Sequence, residues 1–270
     1  TDFLVDGAGE DARDALAVSY AERRRYGDYL RDRLQRAGDA TRAHFEVLQD
    51  RVVALDAGDD GLHLALASGD SVVARGVVLA VGNSSKPLPA RGASSLLPQT
   101  RLDAWDFDAI KDIPNDAEVC IAGSGLSMVD TALSLVANGH RGHIHVLSRH
   151  ALLPLPHTAH AVAAFDADAL QSMTLRQRMR CLRDAARDAK TAGLPWQAVM
   201  ESARPLVQKL WCTLSHDDQR RFLRHVVRYW DVHRHRIAAQ VHAQLDALQA
   251  SGQMQLHRGR LDTVAREGRR

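Results

Sequence analysis

The segment Val119 to His150 constrains the fold of this chain more than any other stretch. It reads, in order, as a short apolar run, a glycine turn, an amphipathic stretch of helical periodicity and a second apolar run. A strand, a helix and a parallel strand within about thirty residues form the usual βαβ unit. The apolar stripe expected to pack on the sheet consists of Leu126, Val129, Leu133 and Val136. Asn138-Gly139 is a plausible left-handed end to the helix.

The glycine turn has the composition of a phosphate-binding loop. Gly123 permits a tight exit from the strand, and Gly125, which lacks a Cβ, lets backbone N–H groups approach a pyrophosphate at the positive end of the helix. Met128 replaces the third glycine of the G-x-G-x-x-G pattern, so the prediction depends on the strand-helix-strand context. The alternative is a turn that binds no phosphate. The expected dinucleotide contacts are Gly123, Ser124, Gly125, Leu126 and Ser127.

The end of the second strand predicts which nucleotide is preferred. An acidic residue there would hydrogen-bond the ribose of NAD, whereas this chain has Ser148-Arg149, a hydroxyl beside a guanidinium that can bind phosphate oxygens. We therefore expect NADP rather than NAD. The alternative is that Arg149 is an ordinary solvated loop arginine.

A second glycine cluster, Gly7-Ala8-Gly9, follows the apolar Phe3-Leu4-Val5. Asp6, Glu10 and Asp11 would surround a bound phosphate with negative charge, which opposes the helix dipole. We therefore predict an interhelical loop here rather than a cofactor loop.

The charge of the chain is nearly balanced, with 35 Lys and Arg against 33 Asp and Glu, but it is unevenly distributed. Residues 171–236 hold 14 basic and 6 acidic residues. The basic residues are interleaved with apolar ones, so attraction of an anionic cofactor or substrate explains them better than nucleic acid does. We expect no nucleic acid among the partners; a helical nucleic-acid scaffold is the less favoured alternative.

The three cysteines form no C-x-x-C pair and are expected to be buried thiols of a reducing compartment: Cys120, Cys181 and Cys212. No apolar run approaches about eighteen residues and no signal peptide is recognised, so we expect a cytoplasmic protein without membrane contact. The first residue is Thr1, which leaves open that the natural protein begins earlier.

The whole chain is predicted to be α/β, with a Rossmann-like unit, a small β-meander and a helical region. Two helices are expected within residues 11–36, strands at 51–55 and 61–67 and short runs over 72–81, and mainly helices after His150. The expected helices include Leu175 to Lys190 and a long one from Val232 to Ala250, before a strand-like Met254 to Leu256. Gly76 to Asn83 is expected to be a buried strand ending in glycine.

A histidine-rich stretch near residue 230 could suggest a metal site. His233 and His235 are two residues apart and so lie on different sides of a helix, whereas a metal-binding pair needs a spacing of four. We expect no metal. Arg234 and Arg236 are expected to line a cofactor cleft, to pair with acidic neighbours or to be exposed.

Several stretches together resemble the bacterial FAD/NAD(P)-binding oxidoreductases. They are Val119–Asp130 with Ser148-Arg149, Trp211–Leu223, Trp230–Arg236, Tyr26–Leu30 and Leu79–Gly82. The Gly-Ser-Gly-Leu-Ser-Met-Val-Asp segment is also similar to the NADP loop of flavin-containing monooxygenases.

The resemblance implies a flavoprotein in which NAD(P)H delivers a hydride to FAD, and reduced flavin passes electrons to an unknown small-molecule substrate or to oxygen. It assigns Gly123 to Ser127 to the pyridine-nucleotide loop and Ser148 and Arg149 to its ribose-phosphate end. It assigns Val81, Gly82 and Asn83 to a flavin-side turn.

The chain departs from that pattern because the N-terminal FAD glycine fingerprint and the closing FAD segment are not recognised. We expect a fragment, or a chain that has lost flavin binding. Its predicted parts are 1–113, a partial FAD lobe; 114–150, the NAD(P)-binding βαβ unit; and 151–270, a helical region leading to a truncated end. The function expected is an FAD-linked, NADPH-dependent oxidoreductase with no assignable catalytic side chain; the alternative is a nucleotide-binding module that senses NADP(H) or docks a partner.

Overall fold

The computed structural model of the chain describes residues 23–82, 87–158, 163 and 165–266. Its contacts divide the chain into two units, Thr1–Ser84 and Ser85–Arg270. Helices and two small sheets make the fold α/β, as predicted. No helix in these described ranges is long and apolar enough to cross a bilayer.

Where the structure describes it, the first unit combines one helix with an antiparallel meander. Helix α1 spans Arg23–Ala40, and the strands are β1 (Val52–Gly58), β2 (Gly61–Leu66) and β3 (Ser71–Ala74), in the order β1-β2-β3. Gly58 pairs with Gly61 across the tight turn that joins the first two strands. The predicted meander is confirmed. Of the two helices predicted within residues 11–36, the part before residue 23 lies outside the described residues.

The segment after β3 corrects one prediction. Residues 76–82 form no strand, and their apolar side chains are exposed: Val78 is 91% accessible, Leu79 70% and Val81 82%. An apolar run becomes a strand only where a neighbouring strand accepts its hydrogen bonds, and no described strand pairs with this one. The expected buried strand from Gly76 is therefore wrong, and its last residue, Asn83, lies outside the described residues.

The second unit is built on a three-stranded parallel sheet. Strand β4 (Val119–Ala122) leads to α3 (Leu126–Ala137) and β5 (Ile144–Ser148), preceded by the short helix α2 (Phe107–Lys111). The predicted βαβ unit is confirmed. Gly139 ends α3 at φ +86°, and its N–H donates to the carbonyl of Val136 at 2.9 Å.

A third parallel strand, β6 (Met254–Arg258), pairs with β5 and gives the order β4-β5-β6. The sequence predicts a short strand here, and the structure extends it to Arg258. β5 and β6 therefore follow β4 in the same direction across the sheet, as the strands do in one half of a doubly wound fold.

The core lies between the sheet and the helices that cross it. Helix α3 packs on the sheet through Met128, Ala132 and Leu135, each at most 2% exposed, at the spacing of one helix face. Val136 is instead 37% exposed, so the predicted stripe is wrong at that position. Met128, at the position of the missing third glycine, is itself a core residue. The other buried members of this cluster are Ile110, Val129, Ile144, Val146, Ile237, Leu245, Leu248 and Met254.

The opposite face of the sheet carries Cys120, His145 and His257. Cys120 is exposed, as is Cys212, while Cys181 is partly exposed. The prediction of three buried thiols is wrong. For Cys120 the reason is that alternate residues of β4 point to a face that is left accessible.

Helices form most of the chain between β5 and β6. Their bounds are α4 Leu175–Thr191, α5 Gln197–Ala203, α6 Val207–Cys212, α7 His216–Arg221, a π-helical turn Phe222–Val226, α8 Val227–Arg234 and α9 Ala239–Ala250. The long helix predicted from Val232 is wrong, because α8 ends at Arg234 and α9 begins at Ala239. Between them, Ile237 donates its N–H to the carbonyl of Leu155 at 3.0 Å and accepts from the N–H of His157 at 2.8 Å.

Candidate functional site

The loop between β4 and α3 lies at the carboxyl end of the parallel sheet. Gly123 leaves the strand with φ +118°, and its N–H donates to the carbonyl of Leu147 on β5 at 2.8 Å. An L side chain rarely adopts this φ, so the turn itself requires glycine at this position. The structure places this first glycine where the βαβ prediction needs it.

Gly125 is a glycine for a different reason. Its φ of −88° and ψ of −166° are accessible to any residue, and a Cβ added to it meets no atom within 4 Å. Neither conformation nor packing against the described residues therefore requires glycine here. What remains is a space in front of the helix, of the kind that a close-lying ligand needs.

The N-terminus of α3 borders that space. Gly125 is the cap residue, so no side chain of the cap accepts a hydrogen bond, and the first turn contains no acidic residue. Backbone N–H groups of a first helical turn have no partner within the helix and attract anions together with the helix dipole. Leu126 and Ser127, two of the predicted contacts, supply the first such groups.

Two serines fix this loop to the end of β5. The Oγ of Ser124 lies 2.8 Å from the Oγ of Ser148 and 2.6 Å from the carbonyl oxygen of Leu152. The N–H of Ala151 donates to the Oγ of Ser148 at 3.0 Å. A hydroxyl has one proton, and the carbonyl can only accept. The Ser124 hydroxyl therefore donates to Leu152, and the Ser148 hydroxyl donates to Ser124.

This hydrogen-bond chain changes the roles expected of both serines. Because their protons are used within the chain, the Ser124 and Ser148 side chains position the loop rather than offer free donors. Donation from Ser148 to a ribose or phosphate needs this chain of bonds to rearrange. The turn that follows is tight, since Ala151 has a φ of 50°, a region that non-glycine residues seldom occupy.

Two arginines lie at the same edge of the sheet. Arg149 follows β5 directly, is exposed, and forms no ion pair with the described residues. Arg258 ends β6, is paired in register with Ser148 and is also exposed. Sequence reasoning missed Arg258, because pairing between strands more than a hundred residues apart leaves no local pattern. The basic end of β5 is thus matched by a basic end of β6.

The flavin-side residues belong to the other unit of the chain. Val81 is exposed, Gly82 has φ +66°, and Asn83 lies outside the described residues. The nucleotide loop is in the second unit. The assignment of these three residues to a flavin turn stays a prediction.

The histidine-rich stretch forms aromatic and ionic contacts. The Nδ1 of His233 bonds the carbonyl of Tyr229 at 2.6 Å, and its ring meets the edge of Trp196 at 4.7 Å between centroids. Arg236 forms an ion pair with Glu201. Pairing with an acidic neighbour is one of the alternatives expected for this arginine. Across the described ranges, no three His, Cys, Asp or Glu side chains come close enough to hold a metal ion.

Comparison with known protein families gives a match to a dinucleotide-binding family. Residues 3–84 match the model of a family described as FAD-NAD(P)-binding. Neither the curated proteins nor the solved structures gave a match. The matched segment contains Tyr26–Leu30 and Leu79–Gly82, two of the stretches that carry the resemblance, and it confirms that resemblance. It supports a nucleotide-binding function of the oxidoreductase type.

The match also includes the Gly7–Gly9 cluster. These residues precede residue 23 and lie outside the described part of the chain. Their prediction as an interhelical loop is untested.

Proposed function

We propose that the chain acts in an FAD-linked, NADPH-dependent oxidoreductase, with the β4–α3 loop as the pyridine-nucleotide site. The observation that carries the nucleotide part is Gly125, a glycine in an ordinary conformation with open space where its Cβ would be. The flavin part is supported by the family match over residues 3–84.

The chain's own residues have three tasks in this proposal. The amides of Leu126 and Ser127 bind the pyrophosphate, and the serine pair holds their loop against the end of β5. Arg149, joined by Arg258, attracts the 2′-phosphate, which favours NADPH. The bound cofactors supply the redox chemistry, a hydride transfer from nicotinamide to flavin followed by passage of electrons to an acceptor.

Three measurements on the purified chain test this function. We expect saturable NADPH binding, tighter than that of NADH, together with a flavin absorbance spectrum in the purified protein or after addition of FAD. We further expect NADPH to bleach that flavin without oxygen. Nucleotide binding without flavin would favour the alternative function, a nucleotide-binding module without catalysis. Absence of nucleotide binding would contradict both the enzyme and the module.

A further inference from the structure

Three arginines and one glutamate gather in the helical region. Glu201 lies on α5, Arg204 follows the end of that helix, and Arg234 and Arg236 lie at and after the end of α8. Glu201 accepts from Arg236, whose side chain is only 5% exposed, and from Nη1 of Arg204 at 3.4 Å. The guanidinium of Arg236 also lies 6.0 Å from the ring centroid of Trp196. Two segments are therefore held together by one carboxylate.

One carboxylate does not balance this cluster. Two guanidiniums contact Glu201, and the charge of Arg234 interacts with this group as well, which leaves an excess of two positive charges. Arg234 is partly buried and forms no ion pair with any described residue. Burial lowers the pKa of Arg234, and the charges of Arg204 and Arg236 lower it further against the opposing effect of Glu201. A partly buried cation among like charges costs free energy until an anion joins it.

Arg236 shows the same deficit in its hydrogen bonding. Its Nε is buried and has no hydrogen-bond partner among the described residues. Arginine is always charged, and a buried N–H of a charged group without an acceptor is rare in folded proteins. The cluster thus lacks a negative charge to balance its arginines and an acceptor for the Nε of Arg236.

The neighbouring charged and titratable groups do not provide that acceptor. Asp231 pairs at 3.9 Å with Arg228, on its own helix. His233 uses Nδ1 for the carbonyl of Tyr229 and packs its ring on Trp196. His235 is exposed.

We propose that this arginine cluster, Arg204, Arg234 and Arg236 around Glu201, is a binding site for a phosphoryl dianion. A dianion matches the excess of two charges and offers the oxygen acceptors that Arg234 and the Nε of Arg236 lack. Glu201 fixes the orientation of Arg236 and so prepares the site. The site uses none of the residues assigned to the β4–α3 nucleotide site, so its existence does not depend on nucleotide binding there.

Inorganic phosphate is the probe, and thermal unfolding of the whole chain is the readout. At constant ionic strength, phosphate at about twenty times its Kd raises Tm by roughly 2–6 °C in the wild type. Arg234→Gln loses most of this rise. Without phosphate, the same substitution leaves Tm unchanged or raises it, because it removes an unpaired cation from a repulsive cluster.

Four variants decide whether phosphate binds where we propose. Arg204→Gln changes a 52% exposed side chain and should weaken the response without loss of folding. Arg176→Gln removes an exposed arginine of α4 and should keep the full response, which separates binding from general salting-in or salting-out effects. Gly125→Val and Arg149→Glu remove only phosphate bound at the nucleotide site and should keep the part of the response that Arg234→Gln loses. An equal response in all variants, or a response lost in Gly125→Val and kept in Arg234→Gln, would overturn the proposal.

Discussion

At the scale of single residues, the two glycine positions of the nucleotide loop differ in what requires glycine there. Gly123 is required by its φ of +118°, while neither the conformation of Gly125 nor any contact with a described residue requires glycine there. The sequence alone assigns both to one motif. The structure separates a glycine that the turn needs from a glycine that leaves open space, and it is the position of that space at the N-terminus of α3 that points to function.

Arg149 is the residue expected to select NADPH. Substitution by Glu places a repelling charge beside the 2′-phosphate, and the loss of a charge-assisted hydrogen bond corresponds to about 1.5–3 kcal/mol. We expect NADPH binding to weaken by roughly tenfold to a hundredfold in Arg149→Glu, with NADH much less affected. Titration of both nucleotides measures this selectivity.

Arg141→Glu is the matched control, because Arg141 is an exposed arginine at the opposite end of β5. It carries the same change of charge and should leave the ratio of the two affinities unaltered. Equal weakening of NADPH and NADH by Arg149→Glu would show that Arg149 does not recognise the 2′-phosphate.

At the scale of secondary-structure elements, Arg178 ties α4 to its neighbours. This buried side chain donates to the carbonyls of Met173, Gln171 and Leu210 and to the hydroxyl of Thr213. Burial lowers its pKa, while the charge of Asp218 opposes that effect. The basic composition of this region therefore includes at least one arginine that serves the fold.

Removal of Arg178 should destabilise the second unit. Arg178→Met leaves these acceptors without their donor, and each unsatisfied buried group costs about 1–3 kcal/mol. We expect a loss of roughly 2–4 kcal/mol in the free energy of unfolding, measured by urea denaturation. Arg176→Met, on the exposed side of the same helix, should change stability by less than about 0.5 kcal/mol. Similar stability of the two variants would contradict this role.

At the scale of the whole molecule, local patterns predicted the βαβ unit and the meander, since the elements of each follow one another closely along the chain. The place of β6 beside β5 depends on a contact between residues that are far apart along the chain. The break between α8 and α9 at Ile237 depends on such a contact too, because its partners Leu155 and His157 lie ahead of α4. The same long-range pairing hid Arg258 from the predicted site. The prediction of a buried strand from Gly76 is wrong because an apolar composition does not specify which strand would pair with it.

The central claim, that the space at Gly125 holds a pyrophosphate, can be tested without disturbing the fold. Valine is compatible with the φ and ψ of Gly125, and its Cβ meets no atom within 4 Å. Gly125→Val should therefore stay folded, with a loss of about 1 kcal/mol from the poorer helix cap. Gly27→Val is the matched control, since a Cβ at this exposed glycine of α1 also meets nothing within 4 Å.

The decisive measurement is calorimetric titration of NADPH into the wild type, Gly125→Val and Gly27→Val. The account predicts saturable binding by the wild type and Gly27→Val, and none by a folded Gly125→Val, because the valine side chain occupies the place of the pyrophosphate. Wild-type affinity retained in Gly125→Val would contradict the claim and remove the loop from the site.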